Sequence, residues 1–151
     1  MHSIALLLHL VGFAAFLGGA FAQQQFIKLS TRETLAPAVR DSYESLAAAI
    51  TTKIELPGLM VQVVSGVLFL VSNPAWLKMP WMHGKLSAVV LLLVLAHLEM
   101  FNARAIARLR TEGGTGSDSA IARRKITHAR MGSAGTVLVV AVVGLVVYGR
   151  G

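Results

Sequence analysis

The chain has 151 residues, of which 55% are hydrophobic and only 14% charged. Soluble proteins average about 25% charged residues, so this chain has too few charges to cover the surface of a soluble domain. Its 14 lysines and arginines outnumber its 7 acidic residues, which in a membrane protein reflects topology and contact with anionic lipid, so we expect membrane lipid and no nucleic acid as partner. The lack of cysteine excludes disulfides and thiolate ligands, and leaves histidine, methionine, carboxylate or backbone oxygen to hold a metal or haem iron.

Four apolar segments follow one another along the chain, and each is long enough to cross the roughly 30 Å hydrocarbon core of a bilayer as a helix. We therefore predict an all-α fold, a membrane four-helix bundle with a short outer turn and longer basic inner loops, which forms a single domain over residues 1–151. The predicted spans are about residues 3–22, 54–72, 81–102 and 131–148.

Several residues in and between the first two spans bear on where these helices begin and end. Residues 20–22 (Ala-Phe-Ala) resemble a signal-peptide cleavage site, but no lysine or arginine precedes the apolar run, so a membrane span is favoured. Pro37 separates a loop from a helix that is predicted to start near Asp41 and to lead into the second span. Pro57 and Gly58 predict a kink near the start of that span.

The third span opens with Trp81-Met82-His83-Gly84-Lys85 and contains His97. Ionisable side chains are costly in hydrocarbon, so those that occur there usually have a function. His83 and His97 are fourteen residues apart, which places them within roughly 40° of one another around the helix and about 21 Å apart along it. The alternatives are that Trp81 belongs to an aromatic belt, that Lys85 extends to the surface, and that both histidines are solvated at the interfaces.

The distribution of cations predicts the topology. Eleven lysines and arginines lie in or beside the loops after the first and third spans, against three on the other side, so the positive-inside rule places both termini outward. His9 and His83 would then lie at similar depth near the outer surface, an arrangement suited to bis-imidazole ligation of a cofactor, unless His9 only makes an interhelical hydrogen bond. His97 would lie near the inner surface, with Glu99 facing away from the histidines and either solvated or paired with arginines.

The pattern Trp81-x-His83-x-Lys85, followed by a leucine and valine run to His97, resembles the third span of the HemJ-type protoporphyrinogen oxidase family, small four-helix membrane proteins that bind b-type haem. His9, followed by an aromatic residue and a glycine, is similar to the first span of that family. The resemblance implies that haem b is the cofactor, that His9 and His83 bind its metal, that Trp81 and Lys85 contribute to the cofactor site, and that Lys85 and His97 are catalytic.

Three parts of the chain depart from the family pattern. Phe16 stands where the family prefers tryptophan, and residues 23–25 (Gln-Gln-Gln) stand where it has Pro-Arg. Before the fourth span only Arg130 is kept from an Arg-x-x-Asn-Glu-x-Pro pattern. The chain is therefore expected to be a divergent member of a wider superfamily that includes copper-resistance-type membrane proteins.

The expected function is that of a b-haem-binding redox protein of the bacterial inner membrane that passes electrons to or from a porphyrinogen or a quinone. Whether it is an oxidoreductase of porphyrin biosynthesis stays open. One alternative is a non-enzymatic subunit of a larger respiratory or photosynthetic assembly, and a homo-oligomer is also compatible with the sequence. The other is a metal-handling membrane protein, although the scattered methionines form no repeated pair across a span.

Overall fold

The computed structural model describes residues 2–113 and 116–148, most of which are helical. Among these residues there is no strand, and four helices are long and apolar enough to cross a membrane, so the predicted all-α membrane architecture is confirmed. The elements in chain order are α1 (His2–Leu29), α2 (Pro37–Ile50), a π-helical turn (Thr51–Glu55), α3 (Leu56–Ser72), a 3₁₀ turn (Pro74–Lys78), α4 (Pro80–Glu112) and α5 (Ser117–Tyr148).

The helices extend well beyond the predicted spans at the end of the bundle that is rich in lysine and arginine, which we call the basic end. Because α4 continues to Glu112 and α5 starts at Ser117, most of the predicted basic loop between the last two spans is helix. Its alanines, arginines and leucines are good helix formers, which accounts for the extension. Similarly, α2 starts at Pro37 rather than near Asp41, since proline suits the first turn of a helix.

The antiparallel helices α1 and α3 cross at the backbone distance that only glycine permits. A Cβ atom on Gly12 would lie 2.7 Å from the backbone nitrogen of Gln62 and 2.8 Å from the backbone oxygen of Gly58. A Cβ atom on Gly58 would in turn lie 2.7 Å from the backbone nitrogen of Phe16. Small residues allow this kind of close packing between membrane helices, where no hydrophobic effect drives association.

The core of the bundle is small and draws on all four spans. α1 packs against α3, α2 and α5, and α4 packs against α5 and α2, whereas α1 and α4 make no close backbone approach in the described part of the chain and so lie diagonally. One contiguous apolar cluster fills the centre, formed by Phe16, Leu59, Leu92, Ala96 and Val139. Most other apolar side chains of the spans are exposed, as expected for helices whose outer faces contact lipid.

A widened helical turn precedes Pro57, near which the sequence predicts a kink. Pro57 has no N–H group, and its ring would clash with the carbonyl of the preceding turn in a regular α-helix. The π-helical turn Thr51–Glu55 lies immediately before it, and helical structure runs without a break from α2 into α3. Single π-helical turns are often found at functional sites because they rotate the side chains that they carry. The turn carries two buried side chains, Thr51 and Glu55.

We expect Gly12→Ala to destabilise the protein, because the new methyl group would meet backbone atoms of α3 that cannot move aside. Overpacking of this kind costs about 1–3 kcal/mol. Gly18→Ala is the matched control, since a Cβ atom there has no neighbour within 4 Å. Thermal unfolding of both variants in detergent, followed by circular dichroism, measures the difference. Equal midpoints for the two variants would contradict the close crossing.

Candidate functional site

His9 of α1 is half-buried against α3 and is held in a defined orientation. Its Nδ1 atom lies 3.0 Å from the backbone oxygen of Gln62 and 3.1 Å from Oγ of Ser65. The ring of Phe69 meets the imidazole edge to face, with 5.8 Å between the ring centroids. Because a carbonyl oxygen can only accept, Nδ1 donates the hydrogen, and the lone pair of the neutral imidazole is on Nε2. This is the arrangement that proteins use to orient a metal-binding histidine.

The other residues predicted near His9 lie at the same end of the bundle, which we call the tryptophan end. Lys85 of α4 is half-buried and interacts electrostatically with His9. Trp81 is half-buried, and its Nε1–H group donates to Sδ of Met79 at 3.2 Å. His83 is exposed on α4, so the structure does not enclose it with His9 in one internal pocket.

His97 lies on the same helix as His83 but deeper in the bundle. Its Nδ1–H group donates to the backbone oxygen of Leu93, one turn earlier, at 2.7 Å. Within residues 2–113 and 116–148, no three histidine or acidic side chains come close enough together to hold a metal ion. The described chain therefore offers individual oriented imidazoles rather than a preformed multi-histidine metal centre.

A pair of buried carboxyl groups, which the sequence analysis did not identify as a site, lies between the core and the basic end. Glu55 from the π-helical turn is 1% exposed and Glu99 from α4 is 5% exposed. The two carboxyl groups are close enough to hydrogen-bond to one another. Glu99 was expected to be solvated or paired with arginine, and the structure corrects both expectations. The available signal was that both glutamates adjoin apolar runs, where ionisable residues usually have a function.

The backbone of α1 packs directly against one member of the pair. Gly19 lies against Glu55, and a Cβ atom at Gly19 would be 3.0 Å from Cβ of Glu55. The π-helical turn directs Glu55 towards α4, where Glu99 meets it. Because two ionised carboxylates could only accept, a hydrogen bond between them requires that one of them carries a proton.

A buried group of charged residues ties the helices together at the basic end. Glu44 of α2 is nearly inaccessible, and its carboxylate lies 2.6 Å from Nζ of Lys125 and 3.0 Å from a guanidinium nitrogen of Arg110. Lys125 also donates to the backbone oxygen of Ser30 at 3.1 Å, which connects the end of α1. Charges buried in this way are tolerated only when they are paired and hydrogen-bonded. The group therefore stabilises the packing of α2, α4 and α5.

His128 of α5 is completely buried, and both of its ring nitrogens are used. Nε2 donates to Oε1 of Gln23, and Nδ1 lies 3.5 Å from the side-chain nitrogen of Asn102, which itself donates to the backbone oxygen of Arg124 at 2.9 Å. A neutral imidazole with both nitrogens occupied has no lone pair left for a metal. His128 thus contributes to packing, in contrast to His9.

No protein-family model, curated protein or solved structure matches the chain.

We expect Glu44→Gln to destabilise the protein, because Lys125 would be left buried against a neutral amide. Breaking a buried ion pair costs about 3–5 kcal/mol, and we expect the lower end of that range because Arg110 keeps Asp41 and Asp118 as partners. Denaturant unfolding in micelles measures the loss.

The matched control is Glu112→Gln, which removes an exposed i,i+4 partner of Arg108 and should change stability little. A loss of stability of the same size in both variants would show that the buried group at the basic end does not stabilise the bundle.

Proposed function

We propose that this integral membrane protein binds b-type haem at its tryptophan end and carries electrons, with His9 as a haem ligand. The observation that supports the proposal is the orientation of His9. Its Nδ1–H group is fixed by the backbone oxygen of Gln62, and its Nε2 lone pair is the one that an iron takes from a histidine. Among the described histidines, His128 lacks this property because both of its nitrogens are occupied.

The surroundings of His9 fit the acidic periphery of a haem. Lys85 supplies a positive charge near His9, and a lysine is a suitable partner for a propionate. The edge of Phe69 and the glycine at position 66 give the imidazole an apolar, uncrowded environment: a Cβ atom on Gly66 would still be 3.6 Å from Cε1 of His9. Burial and hydrogen bonding of this kind are the means by which proteins adjust a haem potential.

His83 is proposed as the second imidazole, with Trp81 beside it. Since the side chain of His83 is exposed, it is available only to a group that lies at the surface of the bundle. The small cavity beside Glu55 and Glu99, of about 30 Å³, is far too small for a haem and lies towards the other end. The proposal therefore assigns haem binding to the tryptophan end alone.

A bound haem would supply one-electron chemistry, and the chain's residues would hold and insulate it. The resemblance to HemJ-type oxidases makes a porphyrinogen or a quinone the proposed electron partner, with Lys85 next to a carboxylate of that partner or of the haem. In that reading His97 remains a proposed catalytic residue. Its Nδ1–H group is fixed by Leu93, so its basic nitrogen is also Nε2.

We expect the purified protein, expressed with sufficient haem, to show a Soret band and a reduced-minus-oxidised spectrum of b type. His9→Ala should lose most of the bound haem because the ligand nitrogen is removed. Exogenous imidazole should restore the band in this variant, which a merely structural role of His9 would not allow. Gly18→Ala serves as the control, since its side chain meets open space on the same helix.

The absence of a Soret band from the wild-type protein would contradict haem binding, as would a spectrum that His9→Ala leaves unchanged. Purification at fixed stoichiometry within a larger complex, without a cofactor, would favour the alternative of a non-enzymatic subunit.

A further inference from the structure

A small cavity lies next to the buried pair Glu55 and Glu99. Its volume of about 30 Å³ has room for one or two water molecules and for no organic ligand. Apolar side chains of α1, α4 and α5 form most of its wall. The polar side chains that line it, besides the two glutamates, are Gln24 and Thr136.

Each glutamate has one buried oxygen atom without a hydrogen-bond partner. These atoms are Oε2 of Glu55 and Oε1 of Glu99, and both residues line the cavity. Buried polar atoms in native proteins are almost always satisfied, by water where no protein group is available. A cavity of this size beside two such atoms is therefore suited to ordered water in contact with both carboxyl groups.

The cation that fits this site is a proton. Two ionised carboxylates buried so close together would be strongly disfavoured, so the pair keeps one proton. Calcium takes six to eight oxygen ligands and magnesium demands an octahedral set, which two carboxyl groups, one amide and one hydroxyl group do not supply. Of the described residues that line the cavity, only the two glutamates titrate, so no lysine, arginine or histidine neutralises the pair there.

Polarity differs on the two sides of the cavity. Towards the tryptophan end it is closed by the apolar cluster that includes Phe16, Leu92 and Val139. Beside Gln24 on α1 is the fully buried Gln23, whose side-chain nitrogen also lacks a partner and whose side-chain oxygen meets His128 of α5. Towards the basic end lie the titratable groups His128, Lys125, Glu44 and Arg110.

We propose that Glu55 and Glu99 form a proton-binding site that holds one proton between two carboxyl groups and exchanges it, through water, with the aqueous phase at the basic end only. When the proton leaves, it passes to water in the cavity and both carboxyl groups are ionised. When it returns, it re-forms the hydrogen bond between them. This inference does not depend on haem binding at the opposite end.

Infrared spectroscopy of the purified protein in membranes at neutral pH tests the site. We expect a C=O stretch from one protonated carboxyl group per chain, which moves to lower frequency in D₂O. The double variant Glu55→Gln, Glu99→Gln should lose this band. It should fold because two amides, which can donate and accept hydrogen bonds, replace the carboxyl pair with nearly the same shape. The matched double control, Glu33→Gln with Glu112→Gln, removes two exposed carboxyl groups and should keep the band.

The rate of the D₂O shift tests the route. Gln24→Leu should slow the exchange, because it replaces the polar wall of the cavity on the basic side, whereas Gln25→Leu, the same change at the exposed neighbouring position, should leave it unchanged. The proposal is overturned by a wild-type protein without the band, by a band that survives in the double variant, or by equal exchange rates in the two leucine variants. Loss of the band on addition of sodium chloride at constant pH would also overturn the proposal, because it would show that the site binds a metal cation instead of a proton. None of these outcomes bears on the Soret band of the proposed haem.

Discussion

Both candidate sites depend on the backbone contact between α1 and α3 at Gly12 and Gly58. The contact fixes the register of the two antiparallel helices, because neither glycine can slide past a residue with a side chain. In this register His9, nearly one turn from Gly12 along α1, meets Gln62 and Ser65. In the opposite direction Gly19 lies against Glu55. A slip of one residue would rotate His9 by about 100° away from the carbonyl that orients it.

The two ends of the bundle are held together by different forces. At the tryptophan end the helices are joined mainly by close packing and by the hydrogen bonds of His9, as is common where lipid surrounds the helices. At the basic end, the buried group around Glu44 and the network of His128 connect α1, α2, α4 and α5. Such groups require satisfied partners, so they specify one arrangement of the helices there.

The sequence alone was sufficient to predict the features that depend on neighbouring residues along the chain. Length and apolar composition predicted the four spans. It was insufficient where the outcome depends on rotation about a helix axis. Glu99 was expected to face solvent or an arginine, but its partner comes from a π-helical turn about 44 residues earlier, whose extra rotation no periodicity of the sequence reports.

The same limit applies to the histidines. The spacing predicted that His9 and His83 lie at similar depth, and both lie at the tryptophan end. The spacing does not determine which way an imidazole on α4 points, and His83 is exposed in the structure. His128 was not predicted to be buried, because it lies in a basic segment that was expected to be a loop. Its burial follows from the extension of α5 to Ser117, which brings it against Gln23. Contacts between distant segments, rather than residue type, distinguish an imidazole that is oriented through Nδ1 alone from one whose two nitrogens are both occupied.

Under the two proposals, the chain carries an electron site at one end and a proton site towards the other. His9 and Gly19 are ten residues apart on α1, which corresponds to about 15 Å. At an effective dielectric constant of about 20, two unit charges at that distance interact by about 1 kcal/mol. An electron added near His9 would therefore raise the proton affinity of the Glu55–Glu99 pair by less than about tenfold. The apolar cluster between the sites keeps water out but does not remove this interaction, so the two sites would be coupled weakly and reciprocally.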